Sequence, residues 1–201
     1  MTGKFIVLEG IDGCGKGTQA KMLAARIFSH SKSNAVLMTR EPTGLTDAGK
    51  ELRIRLKNDK NPKQNGELYS RLFIEDRKQH VKNIINPAIE KGIHVVCDRF
   101  KHSTMVYQET QGGDFKSLIE EHKGLSIPDM TIIIDVPAQI ALQRITTEKE
   151  VFEEEHFLNK LRAKYRELPQ KLPGEKIMII DGIGTPEEIH EKIWKELEKL
   201  L

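Results

Sequence analysis

Lys4-Phe5-Ile6-Val7-Leu8-Glu9-Gly10-Ile11-Asp12-Gly13-Cys14-Gly15-Lys16-Gly17-Thr18 is a short apolar run that ends in a G-x-x-x-x-G-K frame. A glycine-rich turn in that frame, between a strand and a helix, is a phosphate-binding loop. Successive backbone N–H groups and the helix N-terminus surround a polyphosphate, and Lys16 adds a full positive charge at its end. Residues 10–18 are therefore expected to hold a nucleoside triphosphate. Gly17 stands where a Ser or Thr usually follows the lysine, and Thr18 comes one residue later.

Outward from the loop, the chain alternates short apolar runs with longer helical patterns. The runs are Phe5–Leu8, Ala35–Met38, His94–Cys97, Thr131–Val136 and Lys176–Ile180. They lack strict polar alternation, as strands buried on both faces do. Helical patterns cover Thr18–His30, Asp47–Leu56, Leu68–Lys91, Asp114–His122, Ala138–Ile145, Glu153–Leu168 and Pro186–Leu201. Thr185, Pro186 and Glu188 form a capping box that opens the last one. Strand–helix alternation predicts an α/β fold, a three-layer parallel sheet of five strands with helices on both faces. At 201 residues, residues 1–201 suit a single domain.

The 32 basic and 30 acidic residues nearly cancel, which argues against a global field for nucleic acid or membrane. No run is long enough to span a bilayer, and the first residues read as a strand, not a secretory leader. Two cysteines, Cys14 and Cys97, make no disulfide framework, so a cytoplasmic location is expected.

In a parallel sheet the loops at the carboxyl ends of the strands face one crevice. That brings Arg40, Asp98 and Arg99 to the phosphate loop, with the arginines placed to grip phosphate oxygens in pairs. Asp98, at the end of an apolar strand, is placed to hold a magnesium shell. Asp135 precedes Pro137 and reads as structural.

These residues carry a family resemblance. The chain resembles the thymidylate kinases of the nucleoside monophosphate kinase group, with the P-loop NTPase fold and a short lid. Four stretches carry it: Gly10–Gln19; Thr39-Arg40-Glu41-Pro42-Thr43-Gly44; Leu72-Phe73-Ile74-Glu75-Asp76-Arg77 with His80; and Asp98-Arg99-Phe100 followed by Ser103 and Tyr107-Gln108. The resemblance implies transfer of the γ-phosphoryl group of Mg-ATP to dTMP, on the way to dTTP. It implies that Asp12 orients the acceptor on the sugar side, while Arg40 and Arg99 hold the acceptor phosphate. Phe73 stacks on thymine and Arg77 donates to a base carbonyl; periodicity alone would make Phe73 a core aromatic. Tyr107 crowds the 2′ position, with Ser103 and Gln108 near the base. Arg144 lies across the adenine, although an exposed helix arginine reads equally well from the residues alone. A homodimer is implied, with the Leu68–Lys91 helix a candidate contact whose apolar positions suit the chain's own core equally.

Two positions depart from the family pattern. The family's catalytic arginine sits either just after the loop aspartate, here Gly13, or in the lid, here Val151 within Glu150-Val151-Phe152-Glu153. Lys149 is the nearest cation, and the lid is expected at about residues 146–153. At Gly17 the missing hydroxyl leaves magnesium to phosphate oxygens, water and Asp98, with Thr18 serving the α-phosphate. The competing acceptors are AMP, dUMP and dGMP. A GTP-dependent switch would carry an Asn-Lys-x-Asp guanine-recognition sequence, which does not occur.

Overall fold

The computed structural model describes residues 2–59, 65–145 and 151–201, with the side chains of 151–154 left aside. The strands are β1 (Phe5–Glu9), β2 (Val36–Arg40), β3 (His94–Asp98), β4 (Met130–Asp135) and β5 (Ile177–Asp181). They form one parallel sheet in the order β2-β3-β1-β4-β5. The chain leaves β1 toward β2 on one side and, after β3, crosses to β4 on the other. A crevice therefore opens at the carboxyl end of β1, where the phosphate loop lies.

The helices are α1 (Lys16–His30), α2 (Asp47–Asn58), α3 (Gly66–His80), α4 (Asn86–Glu90), α5 (Lys101–Thr110), α6 (Phe115–Glu121), α7 (Ala138–Arg144), α8 (Val151–Lys171) and α9 (Pro186–Leu197). Side chains alternate across β1 as strand geometry requires. Phe5 and Val7 pack with Val81, Ile85 and Ala88, while Ile6 and Leu8 join Leu23 and Ile27 of α1 and Ile193 of α9. The apolar positions Val81, Ile85 and Ala88 thus face the chain's own sheet. β1, β3 and β4 are largely buried, whereas the edge strands β2 and β5 keep partial exposure, because only one neighbour flanks each.

Three expectations are revised. The helix read as Leu68–Lys91 contains a π-helical stretch, Val81–Ile85, in which the Asn86 amide bonds the Val81 carbonyl. It sits directly before Pro87, which has no N–H for an α-helical bond, so the wider turn fits where the ladder lapses. Lys101–Thr110, given no helix by its pattern, is α5. α8 runs on to Lys171, through Pro169. The capping box on α9 is present, with Thr185 and Glu188 each receiving the other's backbone N–H.

Candidate active site

Helix α1 begins at Lys16 immediately after Gly15, whose φ of 98° is the left-handed conformation that glycine adopts without strain. Lys16 is buried and its ammonium donates to the Gly10 and Ile11 carbonyls at 2.9 and 2.8 Å. A Cβ on Gly13 would run into the Ala141 carbonyl oxygen of α7, so this loop position has no room for a side chain. A Cβ on Gly17 would lie 3.3 Å from Asp98 Oδ2, which puts that carboxylate against the first turn of α1. Thr18 is exposed one position further on. Arg144 reaches from the end of α7 to the Cys14 carbonyl at 3.5 Å and the Gly182 carbonyl at 3.4 Å, on the side of the loop away from Arg99.

The register pairs Arg40 with Asp98 across β2 and β3, so the two lie side by side at the crevice. Arg40 is exposed. Asp98 Oδ1 is buried and has no hydrogen-bond partner among the described residues. Burial pushes the Asp98 carboxyl above its ordinary range, against the pull of Lys16 and Arg99. Among the described residues no group of three or more His, Cys, Asp or Glu side chains is arranged to hold a metal. A magnesium ion here would depend on nucleotide oxygens and water, which is its usual habit, and the orphaned Asp98 oxygen fits one contact to that shell.

Arg99 follows Asp98 with φ 72°, a left-handed conformation that is uncommon for a non-glycine residue. Its guanidinium donates to Ser103 Oγ at 2.9 Å, pairs with Asp12, and lies 5.8 Å from the centre of the Tyr107 ring. The Tyr107 hydroxyl donates to Asp12 at 3.1 Å. The cleft's partial desolvation would raise the Asp12 carboxyl, but Arg99, Lys16 and the Tyr107 hydroxyl outweigh it and hold Asp12 below its ordinary value. An ionised aspartate in a phosphate loop is thereby balanced by two cations.

Beyond this cluster a cavity of about 460 Å³ opens between α3, α5 and α8. Phe73, Arg77, Ser103, Tyr107 and Gln108 line it, together with Asp12 and Arg99 at its mouth. Thr104 and Phe157 line it too, and Phe157 meets the Tyr107 ring edge-on at 6.1 Å. Neither was identified from the sequence. Thr104 sits beside Ser103 in a stretch already singled out, whereas Phe157 arrives from α8, far along the chain, and carries no local signal.

Arg77 is held more tightly than its expected role requires. Three of its five N–H groups go to Glu41 at 2.6 Å, His122 at 2.8 Å and Thr104 at 3.0 Å. His122 donates from Nδ1 to the Leu118 carbonyl at 2.7 Å, so its Nε2 is the acceptor for Arg77. Burial, with Arg77 beside it, lowers the His122 pKa to about 3, keeping the ring neutral. Glu41 also takes His80 Nδ1 at 3.0 Å. Asp76 accepts the Thr43 amide at 2.7 Å and both the Thr43 and Thr46 hydroxyls, pinning the segment after Arg40. Asp135 is bound in a bidentate pair by Arg162 at 2.6 and 2.9 Å, which clamps α8 to the sheet and agrees with a structural role. Lys149 and residues 146–150 of the expected lid lie outside the described residues.

A phosphate loop at the switch point of a parallel sheet, facing a cavity lined by Arg77 and Arg99, defines a P-loop phosphotransferase. A family model for thymidylate kinase matches residues 8–193. A probable thymidylate kinase of Pyrococcus horikoshii is 37% identical over 199 residues, covering 96% of this chain and 95% of the relative. The thymidylate kinase of Wolbachia pipientis is 38% identical, covering 92% and 94%. The crystal structure of thymidylate kinase from Ehrlichia chaffeensis superposes with a TM-score of 0.80 at 28% identity, over 98% of this chain and 100% of that one. The chain belongs to the thymidylate kinase family. Among the described residues no helix is long and apolar enough to cross a membrane.

Proposed function

We propose that the chain phosphorylates dTMP to dTDP with ATP as donor, using the phosphate loop for ATP and the α3–α5–α8 cavity for dTMP. The observation that carries this reading is the Asp12–Arg99–Tyr107 cluster, which stands at the junction of the two sites. Lys16, Gly10–Thr18 and Arg144 hold the donor. Arg40 and Arg99 take the acceptor phosphate, with Asp12 orienting its sugar. Phe73 and Tyr107 supply the aromatic walls, and two N–H groups of Arg77 remain for a base carbonyl. Because three partners fix that guanidinium, it presents a rigid donor fork to the pyrimidine.

The acceptor phosphate has a second pKa of about 6 and is largely ionised near neutrality, so no general base is needed. Positioning and charge stabilisation remain. Magnesium, bound by phosphate oxygens, water and Asp98, would neutralise charge on the transferring group. The lid at about residues 146–153 excludes water, and Lys149 stands in for the arginine absent at Gly13 and Val151. The steric block at Gly13 supports a cation from outside the loop. Two buried free thiols suit a reducing, cytoplasmic compartment, and family membership supports a homodimer.

The test is ADP release measured with dTMP, dUMP, dGMP and AMP as acceptors. The expected result is turnover strongest with dTMP; equal turnover with AMP, or ATP binding without acceptor-dependent turnover, overturns the reading.

A further inference from the structure

Glu9 closes β1 and is fully buried, yet neither nucleotide site as described uses it. A buried carboxylate persists only when its lone pairs are engaged. Here the segment that carries Arg99, with one helix beside it, engages them. Oε1 accepts the Phe100 amide at 2.8 Å and the Ser103 amide at 3.2 Å. Oε2 accepts the Ser103 hydroxyl at 2.6 Å and the Tyr165 hydroxyl of α8 at 3.1 Å.

Two consequences for Arg99 follow. Its left-handed backbone conformation persists only where the surroundings over-determine it. The Arg99 amide is fixed on the Leu8 carbonyl at 2.9 Å, and the next amide, that of Phe100, is turned onto Glu9. Glu9 therefore holds the kink itself. The second consequence concerns hydrogens. The Ser103 hydroxyl points its hydrogen at Glu9 Oε2, 2.6 Å away, while the Tyr165 hydroxyl lies 3.1 Å from that oxygen and 3.0 Å from Ser103 Oγ and so closes the pair from the other side. That leaves the Ser103 oxygen free to accept from the Arg99 guanidinium at 2.9 Å. A glutamine at the same place would present an NH₂ group to these hydroxyls, and a reversed hydroxyl would aim its hydrogen at the guanidinium.

We propose that Glu9 is a positioning residue for phosphoryl transfer, setting Arg99 through the Phe100 amide and the Ser103–Tyr165 hydroxyl pair without touching either nucleotide. The proposal rests on reading Arg99 as a ligand of the acceptor phosphate. The experiment is steady-state kinetics of the full chain with dTMP varied and then ATP varied, alongside thermal melting. The variants are Glu9→Gln, Tyr165→Phe, Arg99→Lys and each of the first two combined with Arg99→Lys. Glu9→Gln is expected to lower kcat/KM for dTMP about tenfold to hundredfold, the range for a charged hydrogen bond. KM for ATP should move less than about twofold, and the loss should vanish in the Arg99→Lys background, as coupled sites require. Retention of dTMP kcat/KM in Glu9→Gln, or an equal loss in both backgrounds as a merely structural residue would give, overturns the proposal. Should Glu9→Gln fail to fold, Tyr165→Phe removes one donor from the same carboxylate. A loss of about threefold to tenfold, again confined to chains with Arg99, supports the proposal, and no loss or a background-independent loss overturns it. Unchanged dTMP kinetics in Arg99→Lys alone would sink the reading of Arg99 itself, and the proposal with it.

Discussion

The proposed donor and acceptor halves of this site are built in opposite ways. The donor half is one contiguous stretch, Gly10–Thr18, whose lysine is anchored by carbonyls five and six residues before it. The acceptor half is assembled from β2, β3, α3, α5, α6 and α8; buried charge fixes Arg77 on Glu41 and Asp76 on Thr43 and Thr46, while Arg99 meets an exposed Asp12 at the cleft's mouth. Removing the Lys16 side chain from the first should therefore damage chemistry and spare the fold. Substitutions in the second should damage both.

The largest expected effect tests that contrast at Arg77. Arg77→Ala leaves Glu41 buried without its main cation, which costs about 3–5 kcal/mol of stability. For a chain of this size, each kcal/mol lowers Tm by roughly 2–4 °C. Calorimetric melting should show the drop, together with lost dTMP binding; a melting point within a degree of the parent would break the comparison. In the donor half, Lys16→Ala should lower kcat about 10²- to 10³-fold, as for removal of a preorganised charge-stabilising donor. Its melting temperature should stay close to the parent's, and a large fall would erase the distinction between the halves. Lys149→Ala should cost more than ~1.4 kcal/mol of transition-state stabilisation, read as a kcat loss above tenfold. A change within about twofold would remove Lys149 from the mechanism.

The smallest effect is a pH dependence to which the acceptor half contributes through His122. His122 titrates near 3 in the folded chain, because burial and Arg77 disfavour its charged form, against about 6.5 when unfolded. Between those values the unfolded chain binds a proton that the folded chain refuses. Stability should thus fall as pH drops from about 6.5, by at most about 1.4 kcal/mol per pH unit from this group. Denaturant titrations between pH 6.5 and 5, above the range of ordinary carboxylates, should show this slope, and His122→Gln should reduce it, leaving the part from His94 and His190, whose pKa values burial also lowers. A slope unchanged in the variant would mean that His122 is charged in the folded state.

The same contrast explains what was legible in the sequence. A phosphate loop is a local object, so its glycines and Lys16 can be read in order, and five apolar runs matched five strands because buried parallel strands leave continuous apolar text. Phe73, Arg77 and Tyr107 were reached only through family resemblance, since helical periodicity alone makes them core or surface residues. Their supports were not reached. Thr104 lies beside Ser103 on α5, whereas Glu41, His122 and Phe157 act on the cavity or on Arg77 from other elements, and a carboxylate such as Glu9 reads as an unremarkable strand end until the fold brings Ser103 and Tyr165 to it. The α5 helix was hidden because its residues serve the cavity and its neighbours instead of forming one clear apolar stripe. The π-helical stretch turns on hydrogen-bond spacing, which composition does not record.

The contact between Gly13 and the Ala141 carbonyl has an evolutionary consequence. At position 13 a side chain is opposed both by where α7 sits and by the loop's own left-handed backbone. A single change at position 13 would meet backbone, and backbone cannot rotate away as a flexible side chain can. A lineage placing an arginine there must first displace α7, and on the proposed reading a chain that packs α7 this closely draws that charge from elsewhere.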